Sequence, residues 1–238
     1  MNSARTSNPV FVALDTTDLD YARQLAERLR GHVGGLKLGL EFFSAHGPDG
    51  VRAFEGLGLP VFLDLKFHDI PNTVVGAVRA AAQLGVSILN VHAQGGATMM
   101  RAAVEAARNV SPSTTVIAVT MLTSLSDEDL PSVGLTPPVA DQVLRLASLA
   151  QQCGLHGVVC SAHEIGRLRR ELGPDFLLVV PGIRPAGSQA GDQRRVMGPA
   201  EALAAGADVL VIGRPITGAP DPALAARDIA QSLGITIV

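Results

Sequence analysis

Tryptophan is absent, tyrosine occurs once and aromatic residues make up only 3% of the chain. A surface that reads nucleic acid by stacking bases needs several aromatic rings, so this scarcity argues against such a platform. Cationic excess is missing too: 19 Lys and Arg stand against 22 Asp and Glu, a net charge of -3. That balance suggests neither a nucleic-acid groove nor a membrane surface, and leaves open a local anion site. Cys153 and Cys160 are the only cysteines, too few for a disulfide framework or a four-ligand zinc set, and both read as core fillers. No run approaches the roughly 20 apolar residues of a membrane span, and the first nine residues lack the apolar stretch of a secretory signal. The expectation is a soluble cytoplasmic protein with a disordered tail over residues 1–9, no membrane contact and no nucleic-acid partner.

What the chain has is a repeated rhythm of apolar strand and amphipathic helix, in a sequence that is 47% hydrophobic. Val10–Leu14 reads as a strand, followed by a helix over Leu19–Arg30 with apolar residues at Leu19, Ala22, Leu25, Ala26 and Leu29. The same unit recurs as strands over Gly35–Leu38, Val61–Lys66, Ser87–His92, Thr114–Thr120, His156–Cys160, Phe176–Val180 and Val209–Ile212. Each is followed by a helical segment, the last over Pro222–Leu233. Eight such units without a linker fit a single-domain α/β fold, the (β/α)8 TIM barrel, over residues 10–238, close to the usual size of about 250 residues. A doubly wound open sheet is the alternative, but it calls for a glycine-rich loop after the first strand, where this chain has Asp15-Thr16-Thr17-Asp18.

Residues 61–73 carry charge where a core belongs. The apolar run Val61-Phe62-Leu63 continues into Asp64 and Lys66, Asp69 follows just past the strand, and Pro71 is expected to close the segment. Alternate strand residues share a face, so Asp64 and Lys66 point the same way. A strand of a covered parallel sheet tolerates such ions only when they are paired or used. With Lys37 at the end of the second strand, Asp64, Lys66 and Asp69 form an array of alternating sign. A structural ion-pair network is the plain alternative to a catalytic one. A Schiff-base lysine needs a neutral amine, whereas flanking carboxylates favour the ammonium, so Lys66 reads as a general acid. Two aspartates could hold Mg2+, but two lysines beside them oppose it and no metal is expected. His68, like His32, His46, His156 and His163, reads as structural or surface; His92 stands at a strand end where it could orient a neighbour through a hydrogen bond.

The loops after the last two barrel strands commonly bind phosphate. Here they hold Arg184, in Val179-Val-Pro-Gly-Ile-Arg-Pro185, and Gly213-Arg214-Pro215. Glycine admits backbone N–H groups and arginine offers a rigid fork to phosphate oxygens. Between them, small and polar residues from Ala186 to Asp192 suit a closing lid, with Gln193 placed to reach a ligand.

The sequence resembles orotidine 5'-phosphate decarboxylase in its bacterial short form, from Val10 to about Ile229. The resemblance is carried by Asp64-x-Lys66-x-x-Asp69-Ile70-Pro71-Asn72-Thr73, by Pro181-Gly182-Ile183-Arg184-Pro185 and by Gly213-Arg214-Pro215-Ile216, in that order. It implies a cofactor-free decarboxylase in which Lys66 delivers a proton to C6 of the pyrimidine and Asp64 sits against the substrate carboxylate. It further implies that Lys37 and Asp15 lie near the ribose, that Thr123 contacts the pyrimidine, and that Gln193, Arg184, Gly213 and Arg214 grip the phosphate. Asp69 and Thr73 would reach the ligand of a second subunit in a homodimer, and Ile70 would be a substrate-binding residue. The metal-dependent hexulose-phosphate synthases share the Asp-x-Lys-x-x-Asp core, but they resemble one another in an acidic residue where this chain has Lys37. A non-catalytic nucleotide-binding barrel is a further alternative, and it leaves the charged array unexplained.

Overall fold

Alternation along each strand sets the architecture. In the computed structural model, which describes residues 6–185 and 197–235, eight parallel strands form a closed barrel in sequence order. They are β1 (Val10–Ala13), β2 (Gly35–Gly39), β3 (Val61–Phe67), β4 (Ile88–His92), β5 (Thr115–Val119), β6 (Gly157–Val159), β7 (Leu177–Val180) and β8 (Val209–Ile212). Between and after them lie α1 (Leu19–Leu29), α2 (Leu40–Arg52), α3 (Pro71–Ala82), α4 (Gly96–Val110), α5 (Val139–Gln152), α6 (Ile165–Leu172), α7 (Pro199–Ala205), α8 (Arg214–Thr217) and α9 (Pro222–Ser232). β1 pairs with both β2 and β8, which closes the ring.

Two apolar clusters result. Phe11, Phe62, Ile88, Ile117, Leu177 and Val209 fill the barrel interior together with Ala13, Val179 and Val211. The alternate residues, among them Val10, Val12, Leu36, Leu38, Leu63 and Leu89, face outward against the helices. Strands buried on both faces therefore read as continuous apolar runs, as a covered parallel sheet requires. Gly35 makes room for the interior: a β carbon there would stand 2.3 Å from the Phe11 ring.

Farther along β1, β3 and β4 the inward position turns polar, and after β8 it opens to a glycine. Phe11 and Ala13 give way to Asp15, Phe62 to Asp64, Ile88 to Asn90 and Val211 to Gly213. The C-terminal ends of the strands thus open a polar mouth above an apolar plug, as expected for such barrels.

Two local expectations change. Pro71 does not close the β3 segment; it occupies the first turn of α3, where its missing N–H costs nothing and its fixed φ suits a helix. Within the tail expected over residues 1–9, Asn8 is tied into the fold. Asn8 is buried, its Nδ2 donating to the His32 carbonyl at 2.9 Å and its Oδ1 accepting from Val10 N–H at 3.0 Å. Residues 1–5 lie outside the described residues. The second helix is interrupted at Gly47, whose φ of 58° precedes Pro48. None of the described helices is long and apolar enough to cross a membrane.

Candidate active site

β3 leaves regular pairing just where its charges begin. It is in register with β4 at Phe62 with Ile88 and Leu63 with Leu89, and pairing resumes at Phe67 with Val91. Four residues of β3 thus span two of β4, a bulge that re-aims side chains. Within it Lys66 adopts φ of 53°, the one positive φ at a non-glycine position among the described residues. Lys66 Nζ donates to Asp64 Oδ1 at 2.6 Å, with the two side chains 30% and 16% exposed.

Lys37 is nearly buried and donates to Asp15 Oδ1 at 2.6 Å. Gly39 backs this pair closely: a β carbon there would lie 2.9 Å from Lys37 Nζ and 3.2 Å from Asp15 Oδ1. The expected four-charge array is therefore two ion pairs, Asp15 with Lys37 and Asp64 with Lys66. β2 lies between β1 and β3, and the Lys37 ammonium is bonded on the β1 side, to Asp15. Asp69 is not part of the array within one chain; it is exposed, and its Oδ1 accepts from Ile70 N–H at 2.6 Å. Ile70 and Thr73 are exposed as well.

The mouth is a cleft of two adjoining lobes that share Asp64, Pro181 and Val211. One, of about 380 Å³, is polar: Asp15, Lys37, Arg184, Gly213 and Arg214 line it. The other, of about 170 Å³, holds Lys66 among Phe62, Val119, Met121, Leu122, Thr123 and Val159. Neither lobe is lined by Asp69, Ile70 or Thr73 of the same chain. Burial, and then the nearby Arg214 charge, push the Arg184 guanidinium below its usual pKa. Arg184 is held by a main-chain bridge, its N–H donating to the Met197 carbonyl at 3.0 Å. Gln193 and the segment read as a lid lie outside the described residues.

His92 does not orient a neighbour as expected. Its buried Nδ1 has no hydrogen-bond partner, and the ring stacks on His68 with centroids 5.1 Å apart. Burial first, then the charges of His68 and Lys66, lower its pKa to about 4. Among the described residues no three of His, Cys, Asp and Glu come together as a metal site would need.

Sequence reading missed Asn90, which is fully buried. Its Nδ2 donates to Asp64 Oδ1 at 2.6 Å and its Oδ1 accepts from Lys66 N–H at 2.7 Å. The signal was present: asparagine inside Ile88-Leu89-Asn90-Val91 is a polar residue on a buried strand, which demands partners.

Ion-paired lysines at strand ends, beside two arginines on the β7 and β8 loops, define a (β/α)8-barrel enzyme. The model of the Orotidine 5'-phosphate decarboxylase / HUMPS family matches residues 8–229; the chain belongs to that family and, like the relatives it matches along nearly their full length, is a carboxy-lyase. It is 57% identical to the orotidine 5'-phosphate decarboxylase of Paramagnetospirillum magneticum over 234 residues, covering 96% of this chain and 99% of that protein. It is 59% identical to that of Rhodospirillum rubrum over 235 residues, covering 96% and 95%. The crystal structure of the Lactobacillus acidophilus orotidine 5'-phosphate decarboxylase superposes with a TM-score of 0.85 at 38% identity, over 95% of this chain and 99% of that one.

Proposed function

We propose that the chain converts orotidine 5'-phosphate to UMP and carbon dioxide in pyrimidine biosynthesis, without a cofactor, with Lys66 as proton donor. One observation carries this reading: the Lys66–Asp64 pair, 2.6 Å apart, stands where an apolar lobe meets a lobe bearing two arginines. A pyrimidine suits the apolar lobe beside Lys66 and Thr123. A phosphate dianion suits Arg184, Gly213 and Arg214, where it would offset the mutual repulsion of the guanidiniums; the resemblance adds Gln193, outside the described residues, to that grip. The ribose falls between, against Asp15 and Lys37.

The bond from C6 to the carboxylate breaks, carbon dioxide leaves and the electron pair stays on C6. No covalent sink takes up that charge, so the adjacent ammonium stabilises it through space, which counts for more in a site short of water. The Nζ proton then moves to C6, and the resulting amine recovers a proton from water. Asp64 faces the departing carboxylate, and their repulsion is relieved as carbon dioxide goes. Asp15 and Asp64 each already hold an ammonium at 2.6 Å, which opposes a divalent cation in the same place.

The working unit in this reading is a homodimer in which Asp69 and Thr73, with Ile70, meet the ligand of the other copy. Supporting it, Ile70 is 67% exposed beside the mouth and Asp69 lies outside its own cleft. A cytoplasmic setting fits a chain whose two cysteines, Cys153 and Cys160, are both buried.

Loss of orotidine 5'-phosphate absorbance in the presence of EDTA tests the assignment. The expected result is equimolar UMP and carbon dioxide at a rate that EDTA leaves unchanged. Activity that needs added metal would point to the aldolase chemistry instead, and tight UMP binding with no turnover to a binding module; either overturns the proposal.

A further inference from the structure

We propose that Asn90 is a positioning residue for proton transfer. Its carboxamide fixes the strained main chain of Lys66 and the carboxylate of Asp64 together, so that the ammonium is presented in one place. The proposal rests on Lys66 being the proton donor.

The bulge in β3 creates the need. Two extra residues between Leu63 and Phe67 take Lys66 out of step with β4, so its N–H loses the carbonyl that a regular ladder would supply. A buried N–H left unmatched is costly, and a left-handed φ at a side chain with a β carbon is costly as well. Such a conformation persists only where its surroundings over-determine it. Asn90 stands on β4 between the two paired positions Leu89 and Val91, its side chain aimed into the barrel. Its Oδ1 accepts the Lys66 N–H at 2.7 Å, in place of a main-chain carbonyl.

The other end of the same carboxamide reaches the chemistry. Nδ2 donates to Asp64 Oδ1 at 2.6 Å, the oxygen that also accepts from Lys66 Nζ at 2.6 Å. The amide orientation follows from its partners, since an N–H must meet the oxygen and a carboxylate must meet the NH2. One planar group thereby sets the distance between the backbone of Lys66 and the carboxylate that holds its ammonium. A hydroxyl has only one atom for both roles, and no other amide or carboxyl side chain carries a separate acceptor and donor on so short a stem. Glutamine is longer by one methylene, aspartate lacks the donor when ionised, and leucine has neither.

Asn90→Leu and Asn90→Asp test this, with kcat and KM for orotidine 5'-phosphate, UMP affinity and melting temperature measured on both. Asn90→Leu keeps the branched shape, with bulkier methyl ends, and removes both bonds. It is expected to lower kcat by about 100-fold, the effect of misplacing a reacting group by about 1 Å, while UMP affinity, set by the distant arginines, stays near that of the wild type. Asn90→Asp keeps the acceptor for Lys66 N–H but sets a second carboxyl against Asp64. Its kcat is expected to rise on acidification, as the new carboxyl takes up a proton and can donate again, giving an acid-side gain that the wild type lacks. That recovery is read within a single protein sample, so a loss of folded material cannot imitate it.

Variants with wild-type kcat would overturn the role. So would variants that lose kcat, UMP affinity and melting temperature together with no recovery at low pH, which would make Asn90 a structural core residue only. A wild-type protein that leaves orotidine 5'-phosphate unchanged would instead overturn the decarboxylase reading, and the role with it; measuring the wild type first separates the two failures.

Discussion

His92 lies face to face with His68, ring planes inclined by 20°, and burial followed by the charges of His68 and Lys66 lowers its pKa to about 4 from 6.5. The unfolded chain binds a proton at this position below about pH 6.5, whereas the folded chain does so only near 4. Between those values the unfolded state holds more protons, so stability rises with pH. The contribution of a neutral His92 is full above the unfolded value and is lost as pH falls through the window. Melting temperatures at a series of pH values are expected to fall less steeply on acidification for His92→Phe than for the wild type. Parallel curves would show that His92 does not titrate as described.

Lys66→Ala should nearly abolish turnover. Losing a positioned general acid alone costs about 100- to 10,000-fold, and here the electrostatic stabilisation of the C6 charge is lost with it. UMP affinity and melting temperature should stay close to those of the wild type, because the phosphate grip is at the other end of the cleft. A variant that melts lower yet retains activity would make Lys66 a structural ion-pair partner.

Arg214→Ala should weaken UMP binding by about 10- to 150-fold, the worth of a charge-assisted hydrogen bond of roughly 1.5–3 kcal/mol. Isothermal titration at several salt concentrations checks this. The variant should also show a weaker salt dependence than the wild type, and unchanged affinity would remove the phosphate from this lobe.

Gly39→Ala separates function from fold. The added carbon would stand 2.9 Å from the Lys37 ammonium, the far end of a flexible side chain that can move aside at little cost to stability. The pair with Asp15 would then be displaced. The expected outcome is a raised KM for orotidine 5'-phosphate with a melting temperature little changed; wild-type kinetics would show that the pair tolerates the shift.

The barrel and most of its mouth were legible in the chain because short apolar runs and helical spacing are local signals. An apolar strand that ends in Asp15, Lys37 or Asp64 declares itself by sequence alone, as do arginines set beside glycine or proline after the last strands. Relations between strands were not legible. That Lys37 pairs with Asp15 rather than Asp64 depends on the side to which its ammonium turns, since β2 has both β1 and β3 as neighbours. The bulge in β3 is a mismatch of two strands, so neither the left-handed Lys66 nor the bracing Asn90 could be placed from either strand separately. The stacking of His68 on His92 is of the same kind, joining the loop after β3 to the end of β4. Pro71 was misread because proline closes a strand and opens a helix equally well, and only the following turn decides which.

The ring is completed by β1 and β8, which come from opposite ends of the chain. This seam joins partners separated by almost the entire length of the polypeptide, the kind of contact that forms at the greatest entropic cost. The polar lobe straddles it, taking Ala13 and Asp15 from one side and Val211, Gly213 and Arg214 from the other. A nucleotide seated there acts as a clasp across the join. Occupancy by product or substrate should therefore protect both termini together, by mass action on the closed form, and a chain cut short at either end should lose its ligand along with its closure.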